Sequence, residues 1–157
     1  MATTTGHRVV GTSLAMEFVL DVSPCAPSAA RAGLRRWLEG LRWPADDAEQ
    51  LVFCVSEAVT NIVQHAYRSV GPVQVAARLE MLTDPGQARR LRWICIDIHD
   101  NGRWRDPDSH RPGIGLWMLR RLLDNLVVIT RGTPDYGTTV SLRSNPVEEV
   151  DRRSPAR

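Results

Sequence analysis

Between Leu91 and Asp100 the side chains alternate with a period of two, so Ile94, Ile96 and Ile98 share one side of an extended strand and Asp100 continues their row. A helix would scatter these four residues around its circumference. The segment is therefore committed to a sheet whose isoleucine face must be covered. The end of the row adds a second constraint. A carboxylate that follows three isoleucines points into the interior, where an unpaired charge is costly, so it requires a hydrogen-bond donor. Asn101-Gly102 comes next and allows a sharp turn. The donor is then either the backbone of that turn or the amine or amide of a ligand.

The last strand repeats the arrangement. Thr138, Val140 and Leu142 share a face, which aims Thr138 inward beside Gly137. A local hydrogen bond would satisfy that hydroxyl alone. Two inward polar groups at the rim of one apolar face are harder to assign to local hydrogen bonds than either alone.

Around these strands the other elements follow from periodicity and turn chemistry. Leu14 to Leu20 reads as a first strand, and Ser28 to about Leu41 as a helix with Leu34, Trp37, Leu38 and Leu41 inside. Asp46, Asp47 and Glu49 favour a helix start, and this second helix is expected to reach Ala66 or Tyr67. Strands are predicted over Val73 to Leu82 and Leu91 to His99, separated by the turn Thr83-Asp84-Pro85-Gly86. A polar stretch from Asp100 to Pro112 leads to a helix from about Gly113 to Asp124. A hairpin of Leu126 to Arg131 with Thr138 to Arg143 closes the series. The order predicts an α+β fold, a two-layer sandwich with helices on one face of a mixed, mainly antiparallel sheet. Residues 1–13 are expected to be a mobile N-terminus, 14–143 the domain and 144–157 a disordered tail.

The second helix carries an apolar stripe of Leu51, Val52, Val55, Val59, Ile62, Val63 and Ala66. Glu57, Asn61 and His65, at i, i+4 and i+8, are expected on the opposite side. This row is either a solvated face or a site. Its single charge and its neighbours Phe53, Cys54 and Ala58 favour a site, since a carboxylate and an amide one turn apart can hold a hard cation and orient a hydroxyl. Gly113-Ile114-Gly115-Leu116 precedes the third helix. Two glycines there let backbone N–H groups approach an anion, or else serve as a hinge. Arg103, Arg105 and Arg111 lie just before, either solvated or within reach of phosphate oxygens.

Charge composition then narrows the chemistry. All 20 basic residues of the 157 are arginine, against 18 acidic ones, for a net charge of +2. Without lysine, Schiff-base catalysis, the P-loop phosphate cradle and the eukaryotic protein-kinase site are all excluded. Arginines dispersed over several elements argue against a nucleic-acid binder. No apolar run approaches the ~20 residues of a membrane span. Cys25, Cys54 and Cys95 are odd in number and widely spaced, which suggests reduced thiols and a cytoplasmic location.

Taken in order, Glu57-x-x-x-Asn61-x-x-x-His65-Ala66, Asp100-x-Gly102, Gly113-x-Gly115-Leu116 and Gly137-Thr138-Thr139 resemble the N, G1, G2 and G3 boxes of the GHKL superfamily, whose ATP-binding domain has the Bergerat fold. Val55-Ser56-Glu57-Ala58-Val59-Thr60-Asn61 is similar to the first box of RsbW/SpoIIAB-type anti-sigma-factor serine kinases, and the likeness spans about residues 14 to 143. The resemblance implies that Glu57 is the general base and that Asn61 holds Mg²⁺. It implies ATP contacts at Asn61, His65, Asp100, Gly102, Arg103, Gly113, Ile114, Gly115, Leu116 and Thr138, with Asp100 accepting from the adenine amine and Thr138 supporting it. It further implies a homodimer that binds a sigma factor and phosphorylates an anti-anti-sigma protein on serine. The alternative is a module that only sequesters a partner. One position departs from the pattern: where the G1 box has a second glycine this chain has Trp104, which puts the lid of about residues 103–112 in question.

Overall fold

A computed structural model of the chain describes residues 14–67, 71–83, 90–104, 121–131 and 137–149, with the side chains of 65–67, 83, 103–104 and 126–131 outside that description. The elements run β1 (Ala15–Leu20), α1 (Ala26–Gly40), α2 (Ala45–His65), β2 (Ala66–Tyr67), β3 (Val73–Thr83), β4 (Arg90–Asp100), β5 (Arg103–Trp104), β6 (Asn125–Arg131), β7 (Gly137–Arg143) and β8 (Val147–Glu148). The main sheet has the order β1-β3-β4-β7-β6, with β8 added to β4, and β2 pairs with β5 in a second small sheet. Every described pairing is antiparallel, so the expected mixed sheet has no parallel pair among the described residues. The predicted two-layer α+β architecture is otherwise the one found.

Strand β4 is central because its isoleucines leave it no solvent-facing alternative. Ile94, Ile96 and Ile98 are completely buried, each contributing roughly 1.5–3 kcal/mol relative to exposure. They are covered, with Val73, Val75 and Ala77 of β3 and Val140 and Leu142 of β7, by the two helices. α1 presents Ala26, Ala30, Leu34 and Leu38 at helical spacing to this core. It starts two residues before the expected Ser28. Pro27 falls in the first turn, where its missing N–H has no helical partner to lose.

The end of α1 is a Schellman-type stop. Trp43 N–H bonds the Leu38 carbonyl at 3.0 Å and Arg42 N–H bonds the Glu39 carbonyl at 2.9 Å. Arg42 takes the left-handed position at φ 51°, where glycine would be commoner. Arg92 of β4 compensates. Its two terminal nitrogens donate to the carbonyls of Leu41 and Arg42, both at 3.3 Å, and its guanidinium lies 5.0 Å from the centre of the Trp43 ring. The helix end is thereby tied to the central strand.

Three boundaries differ from expectation for local reasons. α2 stops at His65 because Ala66 and Tyr67 pair with Trp104 and Arg103 instead of continuing the helix. Within the polar stretch after Asp100, where the lid is expected, residues 103–104 form β5. The domain does not end at 143. Ser144 is buried, its Oγ accepts from Ile94 N–H at 3.0 Å, and β8 pairs with Leu91 and Arg92. The expected tail from 144 therefore begins as part of the sheet. Residues 1–13 and 150–157 lie outside the described residues. So does most of the helix expected from Gly113 to Asp124, of which Arg121 and Leu122 are helical.

Burial pushes the Cys54 thiol up to about 12, aided by the nearby Glu57 charge, and that of Cys95 up to about 11. Both are buried free thiols, and Cys25 is exposed. Titration of the native protein with a thiol-reactive chromophore at neutral pH should therefore modify Cys25 alone. The other two should react only after denaturation. Rapid native modification of Cys54 would contradict this packing.

Candidate functional site

At the end of β4 the row of isoleucines arrives at Asp100, which is 2% exposed. The register of the antiparallel ladder places Asp100 directly opposite Thr138, the second residue of β7, which is 1% exposed. Opposed side chains on one face stand about 4.5–5.5 Å apart at Cβ. The two inward polar groups anticipated from the sequence are thus one cross-strand pair.

Their hydrogen bonding is unequal. Asp100 Oδ1 accepts from Gly102 N–H at 2.7 Å, which is the turn-capping bond that the carboxylate's position demanded. The Thr138 hydroxyl is buried and has no hydrogen-bond partner among the described residues. Buried polar atoms rarely stay unpaired, and one that does marks a place where water or a ligand supplies the bond. Burial also pushes the Asp100 carboxyl above its ordinary value, a shift opposed by the Gly102 N–H and by the neighbouring His99. A donor reaching both Asp100 and Thr138 would satisfy the hydroxyl and relieve the carboxylate together.

Gly137 makes this corner close-packed. A Cβ at that position would sit 2.7 Å from the Asp100 carbonyl oxygen and 3.2 Å from His99 Cε1. No side chain fits between the start of β7 and the backbone that carries Asp100. Gly71, with φ +142° and its missing Cβ facing Asn101 Nδ2 at 3.5 Å, brings the chain back beside the same turn before β3.

The segment after α2 reaches this corner as well. β2 directly follows His65 and pairs with β5, which directly follows the Asp100-Asn101-Gly102 turn. The end of the Glu57–His65 row and the Asp100 turn are therefore held together by backbone hydrogen bonds. Asn61 lies about 6 Å back along the axis of α2 and Glu57 another 6 Å beyond it.

That row is not opposite the apolar stripe, as the sequence suggested. Cys54 and Ala58, placed beside the row by sequence, are themselves buried. At about 100° per residue, each step of four advances roughly 40° around the helix. The row drifts from the open side at Glu57 towards the buried side, so Glu57 and Asn61 stand half-buried at the edge of the core. Phe53, one turn before Glu57, remains 38% exposed.

Trp104 occupies extended backbone in β5, paired to Ala66. An indole-bearing residue is sterically ordinary in such a strand, so the lost glycine does not disturb this stretch. The same ladder contains Arg103. The side chains of His65 and Arg103 are outside the description, and Gly113, Ile114, Gly115, Leu116, Arg105 and Arg111 lie outside the described residues. Among the described residues, no group of three or more His, Cys, Asp or Glu forms a metal cage. A magnesium ion bound largely through phosphate oxygens and water does not need one, and a single amide such as Asn61 fits that kind of site.

Sequence reasoning passed over His99 here. His99 Nδ1 lies 3.1 Å from Thr139 Oγ1, and His99 Nε2 lies 3.0 Å from Asn101 Oδ1, all on the outer face of the sheet. Because these side chains face away from the Asp100 row, only the β4–β7 register links them to the site.

Known proteins with similar sequences and folds give the chain a family. Residues 23–144 match the family described as the histidine kinase-like ATPase domain. A serine-protein kinase RsbW from Bacillus licheniformis is 31% identical over 146 residues, 82% of this chain and 85% of the relative. Serine-protein kinases RsbW from Bacillus mycoides and Bacillus cereus are each 33% identical, over 106 and 110 residues; the matches cover 60% of this chain and 62% of each relative. The crystal structure of the RsbU and RsbW domains of a Mycobacterium tuberculosis protein superposes with a TM-score of 0.63 at 25% identity. The superposition covers 90% of this chain and 34% of that one.

Replacing Asp100 by asparagine keeps an acceptor for Gly102 N–H and removes the buried charge. A carboxyl raised by folding contributes stability below its ordinary value of 3.8, and that contribution is lost as pH rises through the higher folded value. Urea unfolding of both proteins across this range should show Asp100→Asn gaining on the wild type as pH increases. A difference independent of pH would refute the burial argument.

Proposed function

The chain belongs to the histidine kinase-like ATPase domain family, with serine-protein kinases RsbW among its relatives, and on that premise we propose that it is an ATP- and Mg²⁺-dependent protein serine kinase. In this reading it acts as an anti-sigma factor, binding a sigma factor and phosphorylating an anti-anti-sigma protein on serine. The observation that carries the nucleotide part is the pair Asp100 and Thr138, buried, opposed across one ladder, with the threonine hydroxyl unpartnered. The adenine amine has the right chemistry for that pair. It donates to a carboxylate that already spends one oxygen on Gly102, and a water or ring nitrogen beside it completes the threonine.

The remaining roles are those that the family resemblance gives to residues of α2. Asn61, one turn from the β2–β5 ladder, would hold Mg²⁺ through its amide oxygen, and the ion would supply charge neutralisation for the phosphates. Glu57, one turn further and half-buried, takes the proton from the acceptor serine. As it does so the serine oxygen forms a bond to the γ-phosphorus and the bond from that phosphorus to the bridging oxygen breaks, leaving ADP. The family resemblance assigns Gly113, Ile114, Gly115 and Leu116 to nucleotide contact, the two glycines through backbone N–H groups offered to phosphate. Gly102 and Arg103 border the nucleotide, and His65 closes the first box. With no lysine in the chain, cationic help from the protein itself is arginine's. The same reading includes a cytoplasmic homodimer with no direct nucleic-acid or membrane contact. It is consistent with free thiols and with the absence, among the described residues, of a helix long and apolar enough to cross a membrane.

Transfer of labelled phosphate from ATP to a cognate antagonist tests the proposal. Glu57→Ala should lower the transfer rate by about 10²–10⁴-fold while ATP affinity stays within a few fold of wild type. Saturable ATP binding without transfer by the wild type would leave the sequestering module, the alternative raised by Trp104, as the function. No saturable binding at all would remove the nucleotide reading.

A further inference from the structure

His99 stands immediately before Asp100 but on the other face of β4. Asp100↔Thr138 is the last rung of the β4–β7 ladder, and His99↔Thr139 is the rung before it. The end of a ladder is where strands part most easily, so the spacing of the inward pair depends on what holds this end shut. On the outer face the imidazole does so in two directions. Nδ1 meets Thr139 Oγ1 at 3.1 Å across the strands, and Nε2 meets Asn101 Oδ1 at 3.0 Å along the turn. An amide oxygen only accepts, so Nε2 donates to Asn101, while the threonine hydroxyl can pair with Nδ1 in either sense. Asn101 in turn lies between Asp100 and Gly102, whose N–H is held by Asp100 Oδ1 at 2.7 Å. One side chain therefore joins the strand opposite and the turn that orients the carboxylate, and Gly137 packs His99 Cε1 closely from the other strand.

From this juxtaposition we propose that His99 is a positioning residue for base recognition, setting the separation and orientation of Asp100 and Thr138 from behind the sheet. The inference rests on the nucleotide-binding reading of that pair. His99 touches no nucleotide in this scheme, and its effect passes through Thr139 and Asn101. It therefore acts on affinity and base choice, and not on the phosphoryl-transfer step some distance along α2.

The test titrates a fluorescent ATP analogue, with GTP and ATP as competitors, against wild type, His99→Leu, His99→Gln and Thr139→Val. Thermal unfolding of each variant is followed in parallel. Wild-type binding comes first: its absence sinks the nucleotide reading itself and is told apart from the outcomes below. With wild-type binding in hand, His99→Leu should weaken ATP binding about fivefold to tenfold, the scale of one or two lost hydrogen bonds, and narrow the preference for ATP over GTP. Where phosphotransfer is measurable, the loss should sit in KM, with kcat at saturating ATP within about twofold. Thr139→Val should act in the same direction, and the double variant His99→Leu/Thr139→Val should fall short of the sum of the single losses, because both remove the same bond. Gln, whose amide can reach the Asn101 oxygen, should recover part of the affinity. His99→Leu or Thr139→Val proteins that fold and bind ATP as tightly and selectively as wild type would overturn the proposal. So would losses in the double variant that simply add. Should His99→Leu fail to fold, the Thr139→Val and His99→Gln titrations decide the question by the same criteria.

Discussion

The pairing that sets Asp100 opposite Thr138 at the end of the β4–β7 ladder organises the corner around which the rest of the site is arranged. A carboxylate at the end of three buried isoleucines is costly to keep inside, and a single backbone N–H from Gly102 meets only part of its demand. The hydroxyl of the threonine opposite has no partner among the described residues. A corner this deficient in hydrogen bonds is poor design for stability and good design for taking up a polar ligand. The nearby glycines have their explanation in the same place: Gly137 because the Asp100 carbonyl lies where its Cβ would be, Gly71 because the chain passes Asn101 with positive φ.

The two faces of the sheet divide the labour. The inner face is apolar and packs on α1 and α2. The outer face is a set of polar cross-ties: Arg78 to Glu80 and Asp97, Trp93 to Glu80, Ser141 to Asp97, and His99 between Thr139 and Asn101. Half-exposed ion pairs of this kind add little to stability, but they keep the outer side hydrophilic and the strands in one register. Beneath them Cys95 stays protonated and inert.

Arginine takes over tasks for which other chains divide labour between two cations. Arg92 closes the C-terminus of α1 and stacks on Trp43, Arg35 makes a two-pronged contact with Glu49 between the helices, and Arg31 donates to Ser56 at 2.7 Å. The planar fork suits each of these sites better than an ammonium would. The absence of lysine, which first served only to exclude certain phosphate sites, thus goes with a scaffold braced by guanidinium groups.

Local sequence determined the strands and helices, the inward aim of Asp100 and Thr138, and the need for a donor at Asp100, because side-chain periodicity and the cost of burying charge act within a few residues. It also brought the Glu57, Asn61 and His65 row into view, though on the wrong part of α2's circumference. Tertiary structure decided what depends on register and neighbours. The rotation of α2 came from which of its sides the sheet and α1 cover, and the conversion of residues 66–67 and 103–104 from helix end and loop into a ladder required two segments far apart in sequence to meet. The same holds for β8, which the apparent end of the pattern at 143 concealed. His99 shows the limit most plainly. Nothing in its own surroundings marks it, and it joins the site only because the pairing of β4 with β7 sets Thr139 beside it while Asp100 faces Thr138 on the other side. Which two strands pair, and in which register, is a property of the whole fold's burial and cannot be read from either strand alone.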